Sequence, residues 1–237
     1  MCFECVKMSR RKFMSYAAAG AAAAGYWAVG GALSPSFAKT SMSADEALAK
    51  LKAGNQKFVS APQLCAAELT NNRSAVAKGQ SPWATILTCA DSRVSPELIF
   101  GGVGLGELFV CRNAGNVADT AVMGTIEYGA EHLGSPLVVV MGHSRCGAVQ
   151  AACDVVEKDA KLPGSIKPMV DAIVPAAKAM KGKSGDFVDL SVRENARLNA
   201  QKVMAESEIV KELAHGGKLK VVYARYDLDT GAVEFLN

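Results

Sequence analysis

The chain has 237 residues, half of them hydrophobic and 21% charged, which is enough apolar material for a sizeable core and too little polarity for global disorder. Its 22 Gly and 8 Pro exclude a collagen-like or low-complexity architecture, and a formal charge of +3 gives no ground for nucleic-acid binding. Seven cysteines without the spacing of a disulfide framework raise metal or thiol chemistry instead.

The first 38 residues read as an address. Lys7, Arg10, Arg11 and Lys12 precede 26 uncharged residues, Phe13 to Ala38, in which Ala and Gly dominate. Ser9-Arg10-Arg11-Lys12-Phe13-Met14 resembles a twin-arginine export signal, and Ser36-Phe37-Ala38 offers a small-residue cleavage site. The competing reading is a membrane anchor over Phe13–Leu33, long enough to span a bilayer. The tight Arg pair, weak hydrophobicity and small-x-small ending fit a removed signal better. The expectation is therefore a signal over 1–38, periplasmic delivery with only transient membrane contact, and one domain over 39–237. Cys2 and Cys5 fall in the part to be removed and receive no function. Without residues 1–38 the formal charge falls from +3 to about zero.

In the remaining chain, Ser43-Ala44-Asp45-Glu46 opens a helical pattern over about 44–59, with Ala47, Leu48, Leu51 and Phe58 as its apolar face. A polar stretch follows to Ser81-Pro82. Ala84–Cys89 is a short apolar run, read as a buried strand; Leu108–Cys111, Pro136–Gly142 and Lys218–Tyr226 are three more. Helical periodicity fills about 119–133, 145–158, 165–181 and 187–214. Strands alternating with helices predict an α/β fold around a mainly parallel sheet flanked by helices. In such sheets ligands bind beyond the carboxyl ends of the strands, which directs attention to the residues after Leu87 and Met141.

Those places hold the reactive residues. Cys89-Ala90-Asp91-Ser92-Arg93 follows the first strand and His143-Ser144-Arg145-Cys146-Gly147 the third. Parallel strands put both on one side, so two thiols and one imidazole can converge. Cys₂His gives zinc three protein ligands and leaves a fourth position open, the pattern of catalytic sites. His143 and Cys146 are i and i+3, so one turn entering a helix aims both at one point. Cys153 lies about 10 Å further along that helix, too far to share the metal, and reads as a small buried hydrophobe. Cys111 reads as core, and Cys65 has no evident partner. Gly102-Val103-Gly104-Leu105-Gly106 lacks nucleotide-loop spacing and reads as a turn. His132, four residues after Tyr128, is either a proton shuttle or a surface histidine. His215-Gly216-Gly217 reads as a helix C-terminus.

C-x-D-S-R followed by H-x-x-C resembles the signature of the β-class carbonic anhydrases. The likeness continues through Lys78-Gly79-Gln80-Ser81-Pro82, Gly106 to Val117, Ile126-Glu127-Tyr128 and Gly142 to Gly147, and is similar to the plant-like branch. It spans about residue 44 to the C-terminus. The resemblance implies one Zn²⁺ per chain on Cys89, His143 and Cys146, and an Asp91–Arg93 pair beside it. It implies Gln80 in the substrate pocket and Phe109 and Tyr128 lining that pocket near a dimer interface. It also implies a homodimer or dimer of dimers, with the helix near 44–59 packed on the partner. One branch carries a Trp three residues before the first Cys ligand, as part of an inhibitory bicarbonate site. Ile86 stands there in this chain, and the nearest Trp is Trp83.

The implied activity is reversible hydration of CO₂ to bicarbonate and a proton, by zinc-bound hydroxide attack. Two thiolate ligands neutralise the metal's charge, so the bound water should be less acidic than in a three-histidine site, with more activity at alkaline pH. Asp91 would accept the nucleophile's proton in a hydrogen bond, Arg93 would hold Asp91 ionised, and Gln80 would donate to the developing bicarbonate. The rivals are hydrolysis of COS or CS₂ on the same scaffold and a non-catalytic zinc-binding protein.

Overall fold

The computed structural model describes residues 39–67 and 73–236. The export signal expected over residues 1–38, with Cys2 and Cys5, lies outside the described residues. Helix α1 (Ala44–Ser60) starts at a capping box: Ser43 accepts from the Glu46 N–H while the Glu46 carboxylate accepts from the Ser43 N–H. Two short helices, α2 (Pro62–Ala67) and α3 (Arg73–Val76), occupy part of the stretch expected to be irregular.

Strand β1 (Ala84–Cys89) has the expected bounds, and all six residues are buried. A continuous apolar run is what a central strand covered on both faces requires. Helix α4 (Pro96–Ile99) and strand β2 (Leu108–Asn113) follow. Helix α5 (Thr120–Glu127), capped by Asp119 on the Val122 N–H, continues into a π turn over Tyr128–His132. Strand β3 (Leu137–His143) is buried throughout. Helix α6 (Gly147–Lys158) leads into α7 (Ile166–Asp171) and α8 (Val174–Met180), which break the expected 165–181 helix at Ala172-Ile173, where Pro175 opens the second piece. Helix α9 (Phe187–Glu206) ends at Ser207, whose hydroxyl caps α10 (Glu208–His215), so 187–214 is two helices. Gly216 closes α10. Strand β4 (Lys220–Tyr226) and the short β5 (Val233–Phe235), which the pattern did not announce, complete the fold.

The sheet order is β2-β1-β3-β4-β5. The first four strands are parallel and β5 is antiparallel to β4, so the α/β class holds. Alternate residues of β3 feed opposite faces. Val139 and Met141 pack with Leu51 of α1 and Ile86; Val138 and Val140 pack with Ala196, Ala200 and Val203 of α9. A third apolar cluster lies beyond the carboxyl ends of the strands and joins Cys89 and Cys146 to Val149, Cys153, Ile173 and Val192. The chain leaves β1 toward β2 on one side and leaves β3 toward β4 on the other. The β1–β3 boundary is therefore the topological switch point, where a crevice opens. Among the described residues no helix is long and apolar enough to cross a membrane.

Candidate metal centre

Cys89 is the last residue of β1 and His143 the last of β3, at the switch point. Cys146 is the N-cap of α6. All three are buried, and the two Sγ atoms and a ring nitrogen of His143 lie within 4.8 Å of one another. The sulfurs are 3.9 Å apart, close to the edge of a tetrahedron with arms of about 2.3 Å. His143 Nδ1 is 2.9 Å from the Ser144 carbonyl. A carbonyl only accepts, so Nδ1 carries the proton and Nε2 keeps its lone pair. Nε2 is buried with no hydrogen-bond partner, a state that a metal ion would satisfy. The donor set thus fits zinc.

The turn that brings His143 and Cys146 together is strained and externally braced. Arg145 stands at φ +53°, a left-handed conformation that costs a non-glycine residue about 1–2 kcal/mol. The Ser144 N–H donates to the Tyr226 carbonyl at 2.9 Å, and the Ser144 hydroxyl accepts from the Leu228 N–H at 2.9 Å. The Arg145 guanidinium grips both oxygens of Asp229, at 2.6 and 2.9 Å. All of these partners lie at or just after the end of β4.

Asp91 accepts from Arg93 Nε at 2.9 Å, from Nη2 at 2.7 Å and from the Arg93 backbone N–H. The guanidinium therefore holds this carboxyl well below the usual carboxylate range. Asp91 Oδ2 is 3.8 Å from His143 Nε2, facing the three donors. Arg112, which lies within the 106–117 stretch and to which the sequence assigns no role, donates to the Cys89 carbonyl at 3.0 Å and the Asp91 carbonyl at 2.6 Å, fixing the backbone that carries both. The Gly115 N–H approaches Cys89 Sγ at 3.4 Å. Such contacts leave no periodic trace in a sequence.

The two thiols titrate as a pair. The hydrogen bond between the two sulfurs draws Cys89 down to about 4, against the opposing effect of burial. Cys146, beside that thiolate and buried, is pushed far above the usual thiol range. Two buried sulfurs 3.9 Å apart and an unpartnered imidazole nitrogen together offer three lone pairs to a divalent cation. Cys111 is raised to about 11 by burial alone, and Cys153 is raised mainly by burial, its thiol facing the Ser191 hydroxyl. Both behave as core.

Cys89, Asp91, Arg93, His143 and Cys146 thus meet at the carboxyl end of the sheet. Gln80, Phe109 and Tyr128 do not join them within one chain. The segment carrying Gln80 runs beside the start of β2, with the Ser81 and Trp83 N–H groups on the Gly106 and Glu107 carbonyls. Phe109 pairs in register with Thr85, and its ring lies 6.1 Å from that of Tyr128. These residues sit at the amino end of β1, and the four residues from Thr85 to Cys89 span about 13 Å. His132, its ring 5.1 Å from Tyr128, is 63% exposed and belongs to the same end.

A family model described as carbonic anhydrase matches residues 84–233. The chain is 39% identical over 182 residues to carbonic anhydrase 2 of Mycobacterium tuberculosis, an alignment covering 76% of this chain and 87% of that one. The structure of a Coccomyxa β-carbonic anhydrase in complex with acetazolamide superposes with a TM-score of 0.63 at 32% identity, over 80% of this chain and 86% of that chain. One of two tetrameric β-carbonic anhydrases from Sordaria macrospora shares the fold with a TM-score of 0.63 at 21% identity, over 96% of this chain and 98% of that one. By sequence, fold and buried donor set together, the chain belongs to the β-class carbonic anhydrase family.

Proposed function

We propose that the protein catalyses reversible hydration of CO₂ to bicarbonate and a proton, with a zinc ion held by Cys89, His143 and Cys146. The observation that carries this reading is the buried Cys₂His group whose His143 Nε2 has no other partner. Zinc, when bound, would supply Lewis acidity that lets water lose a proton near neutral pH. The chain's own groups do the rest. Asp91, held ionised by Arg93, is an acceptor whose Oδ2 faces the donor triad; it takes a hydrogen bond from the attacking oxygen and aims the lone pair at carbon. Arg112 and the braced turn at Arg145 keep the donors in place as charge moves.

The pocket reading extends to a second copy. Strand β2 is an edge of the sheet, and Tyr128 is 42% exposed. A twofold axis beside β2 sets two such strands antiparallel, so the amino end of one meets the carboxyl end of the other. Gln80, Phe109 and Tyr128 of the second copy then close the pocket: the amide donates to oxygen gaining charge, and the rings exclude water. Export of the folded, metal-loaded chain by a twin-arginine signal over residues 1–38 completes the reading. Two thiolate ligands are safest assembled in a reducing cytoplasm.

Stopped-flow CO₂ hydration on the zinc-loaded protein tests the activity. The parent chain turns over CO₂, and Asp91→Asn retains zinc while losing on the order of 10²-fold in kcat/KM. A higher kcat/KM on COS or CS₂ than on CO₂ would reassign the substrate. Stoichiometric zinc without turnover of any of them would make the protein a non-catalytic zinc binder.

A further inference from the structure

The sulfur of Cys89 is held from outside its own strand. The Gly115 N–H that reaches it at 3.4 Å comes from a turn in which Gly115 (φ +78°) and Asn116 (φ +45°) are both left-handed. A Cβ on Gly115 would lie 2.4 Å from Ile173 Cδ1 and 3.2 Å from Ala148 Cβ, so the sulfur can be approached this way only by glycine. The other face of Gly115 is also committed: its carbonyl accepts from Asn195 Nδ2 at 2.8 Å.

Asn195 is 1% exposed on α9. One turn later, Asn199 donates Nδ2 to Asn195 Oδ1 at 3.0 Å and accepts from the Ala118 N–H at 2.7 Å. The buried face these asparagines share is otherwise Ser191, Val192, Ala196, Ala200 and Val203. Two amides buried among such residues add nothing to apolar packing and are tolerated only when bonded. Their bonds go to the two ends of the 115–118 loop, the loop that carries the N–H facing Cys89. Cys146 has a different supply, the Val149 and Ala148 amides at the start of its own helix.

We infer that Asn195 is a positioning residue for the metal centre: by pinning the Gly115 carbonyl it keeps the Gly115 N–H on the Cys89 sulfur, and so limits the charge that this sulfur gives to a bound metal. The inference rests on the proposal that Cys89 is a zinc ligand. A hydrogen bond to a thiolate lone pair withdraws density from it. In a site whose two thiolates would otherwise neutralise a dication, that withdrawal preserves Lewis acidity.

Cobalt(II) in place of zinc reads the sulfur directly, through thiolate-to-metal charge-transfer absorption. In Asn195→Ala the band moves to longer wavelength than in the parent chain, because the sulfur lone pair is no longer drawn down by the Gly115 N–H. Asn195→Leu keeps the branching and volume without the donor, and serves if Ala at this site prevents folding. Ser191→Ala is the control: Ser191 is buried one turn earlier on the same helix and bonds to Phe187 and Cys153. It lowers the melting temperature and leaves the band in place. An unshifted band in a folded Asn195 variant overturns the inference, and so does an equal shift in Ser191→Ala. A parent chain with no thiolate-to-cobalt band overturns the metal assignment instead.

Discussion

Cys146 and Cys153 are two buried cysteines on one helix, separated in role by seven residues of rise. The first has the Cys89 sulfur 3.9 Å away; the second faces the Ser191 hydroxyl at 3.4 Å. On the proposed assignment, removing the Cys146 sulfur would leave a zinc ion with two protein ligands, whereas Cys153→Ser would remove none. Elemental analysis should therefore find little zinc in Cys146→Ala and near-stoichiometric zinc in Cys153→Ser, the latter at a stability cost of about 1–2 kcal/mol. Near-stoichiometric zinc in Cys146→Ala would sink the ligand assignment. That Cys89, Asp91 and Arg93 would meet His143 and Cys146 was legible because each group sits in a compact motif of rare residue types at the end of a strand. Arg112, Gly115, Asn195 and Asp229 were not, since each acts across the fold through one hydrogen bond. Asn195 and Asn199 did leave a trace, two amides at i,i+4 on a helix face otherwise made of Val, Ala and Ser191.

Among the elements, the turn after β4 ties the site to the rest of the molecule. Asp227 accepts from the Asp229 and Thr230 N–H groups, the Thr230 hydroxyl and Arg225. The Thr230 N–H is the largest influence in lowering its carboxyl to about 2. Asn55 of α1 donates to the Gly231 carbonyl and accepts from the Val233 N–H. A depressed carboxyl stabilises the fold above its unfolded value near 4 and loses that contribution as pH falls through its folded value. Stability of the parent chain should thus fall between about pH 4 and 2 by about 1–2 kcal/mol more than that of Asp227→Asn, after allowance for solvent screening. Parallel pH-dependent urea titrations that superpose over this interval would remove Asp227 from the account. Strand β1 could be read to the residue because ATILTC is uninterrupted and covered on both faces. Strand β5 could not: three residues with a central Glu, held by β4 alone, carry no pattern of their own. The break at Ser207 was hidden because the apolar stripe resumes in phase, although a serine followed by Glu208 is a capping signal.

For the whole molecule, the decisive matter is which copy supplies which part of the pocket. If Gln80 serves its neighbour, Cys146→Ala and Gln80→Ala are each impaired alone. Mixed and re-equilibrated in equal amounts, they regain roughly a quarter of the parent rate, because half the dimers carry one complete site. No recovery, with exchange verified by mass, would place Gln80 in its own chain's site. The export proposal has a separate check. Arg10-Arg11→Lys-Lys should leave active, zinc-loaded enzyme in the cytoplasm, and full delivery of this variant in cell fractionation would favour a general secretory signal or an uncleaved anchor.

The separation of Gln80, Phe109 and Tyr128 from the metal donors, by the length of β1, also bears on how the rate depends on the amount of protein. If a second copy completes the pocket as proposed, an isolated copy holds no complete form of it. At concentrations well above the dissociation constant of the pair, the rate is first order in protein; well below it, the rate becomes second order, and diluting the enzyme tenfold lowers the rate about a hundredfold and the turnover per chain about tenfold. Abundance then acts as a threshold, and crowding many copies into a small compartment would start the reaction without any effector molecule.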